Sequence, residues 1–160
     1  MILLSSFLFG QITIIHSGVL IDGRFEKPLL VYSILIEDDR IIDVVEGYVD
    51  PGEGDIAIDL NNFTVLPGLL DMHVHLSGES NPKKHMEGVT MNLDDYAYRS
   101  ISFAEKTLMA GFTTVRDLGG PINTSLRNAV NKGYVTGPRI FSAGKALAST
   151  GGHADPTNGL

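Results

Sequence analysis

Residues Thr64–Leu76 read TVLPGLLDMHVHL, and this stretch decides how the whole chain is read. Pro67-Gly68 is a turn signal, and an apolar run carrying Asp71, His73 and His75 follows it. Side chains alternate along a strand, so residues two apart share a face. Asp71, His73 and His75 are therefore expected to point one way, and Met72, Val74 and Leu76 the other way into apolar packing. Two imidazoles at that spacing suit one divalent ion, zinc for example. The bare His-x-His also fits a plain strand with two exposed or hydrogen-bonded histidines. Three neighbouring features favour metal. The strand is apolar, Asp71 lies in phase to hold an imidazole in the correct tautomer, and a polar loop, Ser77–Met91, follows. Loops of that length are usually functional or mobile. The strand also ends just after His75, and in α/β folds active sites sit at the C-terminal ends of strands.

Downstream, Asn92 reads as a helix N-cap with Asp94 and Asp95 in the first turn. Leu93, Ala97, Ile101, Ala104 and Leu108 recur at helical spacing, and Gly111 stops the helix. Phe112–Leu118 is a buried strand, Thr124 caps a second helix ending at Gly133, and Arg139–Ala143 is a third strand. Alternating strands and helices imply an α/β class with parallel βαβ units. Arg116 and Asp117, on opposite faces at the end of the second of these strands, are expected to form a structural ion pair at the rim; the alternative is that one lines the active-site end and the other is covered by a neighbouring helix. Upstream, residues 11–63 hold four short β-prone runs separated by Asp22-Gly23, Glu37-Asp38-Asp39 and a Pro51–Gly54 loop. They predict a small antiparallel sheet or half of a sandwich, in which His16 is structural.

The composition narrows the function classes. The chain has 160 residues, and with 43% hydrophobic and 19% charged residues it can bury a core, which excludes wholesale disorder. A net charge of −7 leaves no basic stripe for nucleic acid. The absence of cysteine excludes a disulfide scaffold, a thiolate metal site and a cysteine nucleophile. Neither a GxxxxGK[ST] loop nor a GxSxG elbow is present. Residues 1–10, MILLSSFLFG, are shorter than the roughly 20 residues a spanning helix needs, so no transmembrane segment is expected. They read either as the remnant of a signal peptide that starts upstream or as a plain first strand, which leaves localisation open between export and the cytoplasm.

LPGLLDMHVHL resembles the first barrel strand of the amidohydrolase superfamily. AGFTTVRDLGG is similar to its second, and GPRIFSAGKALASTGGH to the third strand and following loop of the branch that holds imidazolonepropionase-like and prolidase-like enzymes. The resemblance implies the N-terminal part of a (β/α)8 TIM-like barrel, residues 64–160, preceded by a small β-sandwich segment, residues 11–63. It implies a metal-dependent hydrolase of carbon–nitrogen bonds in a small amide or dipeptide, using a metal-activated water. His73 and His75 match metal ligands, for one or two divalent ions with zinc as first choice. The later ligands of the family lie on strands beyond the third, and Lys145 is not given the bridging role. His153, in Thr150-Gly151-Gly152-His153, matches a substrate-binding position; the alternative is an ordinary glycine-rich loop with a solvated histidine. No catalytic acid or base is identified in this stretch. A complete barrel takes about 250 residues, so the chain is expected to be an N-terminal fragment, inactive in isolation. The alternative is a non-catalytic fragment that associates with a partner through an open sheet edge. Oligomeric state has no signature here.

Overall fold

A computed structural model describes residues 10–152 and Asp155, in two units, Met1–Pro67 and Gly68–Leu160. Residues 1–9, which carry the export question, and His153 lie outside the described residues.

The first unit is a four-stranded sheet of β1 (Ile12–Leu20), β2 (Leu29–Glu37), β3 (Arg40–Glu46) and β4 (Ile56–Val65), in the order β3-β2-β1-β4. The Asp38-Asp39 turn makes β2 and β3 a hairpin, and β1 pairs antiparallel with β2. The expectation of an antiparallel sheet fails at β4, which runs parallel to β1 with Thr13 opposite Ile56. A segment of nine residues, 47–55, carries the chain from the end of β3 to the far side of β1, and such a crossover allows the parallel sense. Asp55 anchors that segment. One carboxylate oxygen accepts the Ile12 N–H at 3.0 Å and the other the Gly52 N–H at 2.9 Å. Ile14, Leu20 and Ile34 are buried. Ser17 and Ser33 are buried among them, and each hydroxyl is used, as buried polar groups require. Ser17 Oγ donates to the Tyr32 carbonyl at 2.9 Å. Ser33 Oγ donates to the Gly47 carbonyl at 2.8 Å and accepts the Val49 N–H at 3.0 Å. His16 has the structural role expected of it, stacked on Tyr48 with Nε2 2.9 Å from the Val49 carbonyl.

The second unit has a parallel sheet, β5 (Leu69–Val74), β6 (Phe112–Asp117) and β7 (Arg139–Ser142), in that order. Three helices accompany it: α1 (Lys84–Thr90), α2 (Leu93–Met109) and α3 (Asn123–Asn131). Leu76, Ala104, Val115, Ile122, Leu126 and Ile140 form its core. Gly68 in the Pro-Gly turn is required by close approach, because a Cβ there would overlap the Thr113 side chain on β6. Three expectations need adjustment. The segment expected as loop contains α1, tied to α2 by Arg99 Nη1 and Glu87 Oε1 at 2.9 Å. The guanidinium holds the Glu87 carboxyl below the usual carboxylate range, and Glu87 in turn raises Arg99. The buried face of α2 centres on Ser100 and Ala104, while Leu93 and Ile101 are exposed. The cap of α3 is Ile122 rather than Thr124, whose N–H is accepted by Asn123 Oδ1 at 2.9 Å. The start of α2 is as expected, with Asp95 accepting the Asn92 N–H at 2.8 Å.

Candidate functional site

β5 delivers Asp71 and His73, and His75 follows at the first position beyond it. The two imidazoles are exposed, with ring centroids 5.4 Å apart and planes at 70°. The Asp71 carboxylate accepts the main-chain N–H of His73 at 2.9 Å, so in this structure it shapes the strand end rather than touching an imidazole.

The ring-orienting contact comes from elsewhere. Nδ1 of His75 lies 2.8 Å from the carbonyl oxygen of Gly119. A carbonyl only accepts, so Nδ1 carries the proton in this contact, and in the neutral ring that leaves the lone pair on Nε2. Gly119 follows β6 with φ +132°, a conformation open to glycine and rarely to other residues. Its own N–H is accepted by Asp117 Oδ1 at 3.0 Å. Asp117 is 1% exposed. Its Oδ2 accepts the Leu76 N–H at 3.0 Å, and its Oδ1 also accepts Asn123 Nδ2 at 3.2 Å. One buried carboxylate thus joins the turn after β5, the turn after β6 and the start of α3. The expected Arg116–Asp117 ion pair is not formed. The two side chains leave opposite faces of β6, and Arg116 Nε donates to the Met72 carbonyl at 2.9 Å instead.

An open groove of about 350 Å³ beside β5 is lined by Asp71, His75, Phe103, Glu79 and Lys106 among others, the last two forming an ion pair at 3.4 Å. The donor chemistry of the histidines fits a borderline divalent ion. Two imidazoles stand at one strand end, and one has its Nδ1 committed to a main-chain acceptor. Among the described residues, no cluster of three or more His, Cys, Asp or Glu completes a metal cage. Sequence reading found the two histidines. It missed Gly119, whose contribution is a main-chain oxygen, and it assigned Asp117 to the wrong partner.

A family model described as the amidohydrolase family matches residues 64–158. A solved Xaa-Pro dipeptidase with bound methionine in its active site is 43% identical, with a TM-score of 0.87 over 94% of this chain and 37% of that one. A prolidase solved with N-methylphosphonate-L-proline is 39% identical, with a TM-score of 0.77 over 89% of this chain and 34% of that one. Ochratoxinase of Aspergillus niger is 31% identical over 150 residues, 91% of this chain and 31% of the enzyme. The chain therefore spans about a third of the length of these relatives. Over most of its own length its mixed α/β structure matches amidohydrolases of the TIM-barrel class. With the family model covering more than half of the sequence, including the whole His-x-His strand, the chain belongs to the amidohydrolase family.

Proposed function

We propose that the protein containing this chain hydrolyses a carbon–nitrogen bond in a small amide or dipeptide, with His73 and His75 as two ligands of a divalent cation, zinc as first choice. In this reading the second unit supplies the first three β/α units of a (β/α)8 barrel, and the first unit is a segment of a small β-sandwich. When bound, the cation lowers the pKa of its water towards about 7 and polarises the carbonyl under attack. The chain's own residues prepare the site. Gly119 holds His75 with Nε2 free, and Asp117 holds the turns on which both residues sit. The single observation that carries the reading is the His75–Gly119 contact, because it commits Nδ1 and leaves a nitrogen ready to ligate. The likeness to an Xaa-Pro dipeptidase and a prolidase supports a dipeptide or an N-acyl amino acid as the substrate class. His153 is proposed to meet the carboxylate of such a substrate.

The test uses the protein that carries this chain, purified, stripped with chelator and titrated with zinc. Metal content and hydrolysis of Xaa-Pro dipeptides and N-acyl amino acids are then measured. The expected result is metal-dependent hydrolysis that is abolished in His73→Ala/His75→Ala, together with a raised KM for carboxylate-bearing substrates in His153→Ala. Hydrolysis that survives the double substitution overturns the metal reading. An unchanged KM in His153→Ala removes His153 from the site.

A further inference from the structure

We infer that Asp117 is a positioning residue that locks His75 in its Nδ1–H tautomer by way of Gly119. The inference rests on the reading of His75 as a ligand for its importance, although not for its geometry.

Asp117 is almost fully buried, and among the described residues no lysine or arginine forms an ion pair with it. An unpaired buried carboxylate is costly unless its oxygens are satisfied by hydrogen bonds. Here three N–H groups satisfy it, from the main chains of Leu76 and Gly119 and from the side chain of Asn123. The two main-chain donors flank the site on both sides. Leu76 is the residue after His75, so its N–H fixes the peptide that leaves the ligand. Gly119 presents its carbonyl to the ring of His75. Both ends of the imidazole's geometry, its backbone and its Nδ1 acceptor, are therefore referred to the same two oxygen atoms. A hydrophobic side chain would fill the volume of Asp117 without orienting either amide. Asparagine would fill it too, but would turn an NH2 group toward one of them, since a carboxylate accepts on both atoms and an amide on one.

The experiment labels the histidine rings of the whole protein with 15N and reads the His75 tautomer by long-range 1H–15N correlation on metal-free protein. The signal is assigned by its loss in His75→Gln. The wild type is expected as the Nδ1–H form, and Asp117→Asn is expected to move a measurable fraction to Nε2–H. Asp117→Glu keeps a head group that only accepts, and it should recover part of the Nδ1–H population if Asp117→Asn proves poorly folded. Arg116→Met, one residue away on the opposite face of β6, should loosen the sheet without shifting the tautomer. Zinc affinity in Asp117→Asn should fall about 10–100-fold, the usual cost of losing a group that orients a ligand. A wild-type His75 in the Nε2–H form overturns the inference, as does a folded Asp117→Asn whose His75 is unchanged. The first result also removes the contact that supports the hydrolysis reading, whereas the second leaves that reading untouched. A protein that takes up no zinc overturns that reading and leaves the tautomer measurement standing.

Discussion

The guanidinium of Arg116 donates through Nε to the main-chain carbonyl of Met72 at 2.9 Å, where the pairing of β5 with β6 breaks between Asp71 and Val74. A side chain from the neighbouring strand thus supplies the hydrogen bond that the ladder omits beside the histidines. Arg116→Met keeps most of the aliphatic length and removes the donor. It should cost about 0.5–1.5 kcal/mol, the net worth of one such bond, read as a lower denaturant midpoint at unchanged slope. An unchanged midpoint would show that water replaces the guanidinium at no cost.

Gly68 faces the side chain of Thr113, and an added Cβ would overlap its methyl and hydroxyl groups. Gly68→Ala should therefore destabilise the second unit by about 1–3 kcal/mol, as overpacking does. Thr113→Ala relieves part of the overlap, so the double substitution should cost less than the sum of the two singles. Strict additivity in a double-mutant cycle would separate the two residues.

Ser33 has no exposed surface and serves two main-chain groups, the Gly47 carbonyl and the Val49 N–H. Ser33→Ala leaves both without their partner, at about 1–3 kcal/mol for each group stranded away from water. Amide exchange at Val49 should accelerate more than at the β2–β3 ladder. Equal acceleration at both would mean that the sheet opens as a whole and that the hydroxyl plays no local part.

The Glu87–Arg99 pair makes the docking of α1 on α2 sensitive to acid. Because the folded Glu87 carboxyl titrates below its usual range, its contribution is complete above the ordinary carboxylate pKa. It is lost as the pH falls through the lowered folded value. Arg99 stays charged throughout. Amide protection in α1 should decline at acid pH in the wild type and be low and flat with pH in Glu87→Gln. A wild-type profile as flat as that of the variant would remove the pair from the account of α1.

The parts of this structure that were legible in the sequence are those written in local composition and punctuation. Apolar, β-prone runs bounded by turn residues located β1 to β7, and the Asn92–Gly111 bracket located α2. Three other features depend on main-chain or long-range partners and had no local signal. The direction of β4 is set by its neighbour, because alternation marks a strand and is silent on parallel or antiparallel sense. Helix α1 is seven residues with an internal Gly88, and its tie to Arg99 on α2 is invisible to local pattern. In the site, the histidines and Asp71 were legible as residue types. The Gly119 acceptor was not, because every residue has a carbonyl and only the fold aims one. Asp117 was misread because its partners are two main-chain N–H groups and an amide on α3, which residue type alone does not reveal.

The parallel pairing of β1 with β4 also sets an order in time. During synthesis from the N-terminus, β1, β2 and β3 can zip as consecutive antiparallel neighbours, since each partner is close in sequence. The other edge of β1 stays open until residues 47–55 and then β4 itself have emerged, because Thr13 must wait for Ile56 and Leu20 for Val65. Throughout that interval an edge containing Ile12, Ile14 and Ile15 is free to meet another nascent chain. The speed at which the ribosome crosses this short stretch therefore governs how long the newborn sheet is at risk of self-association.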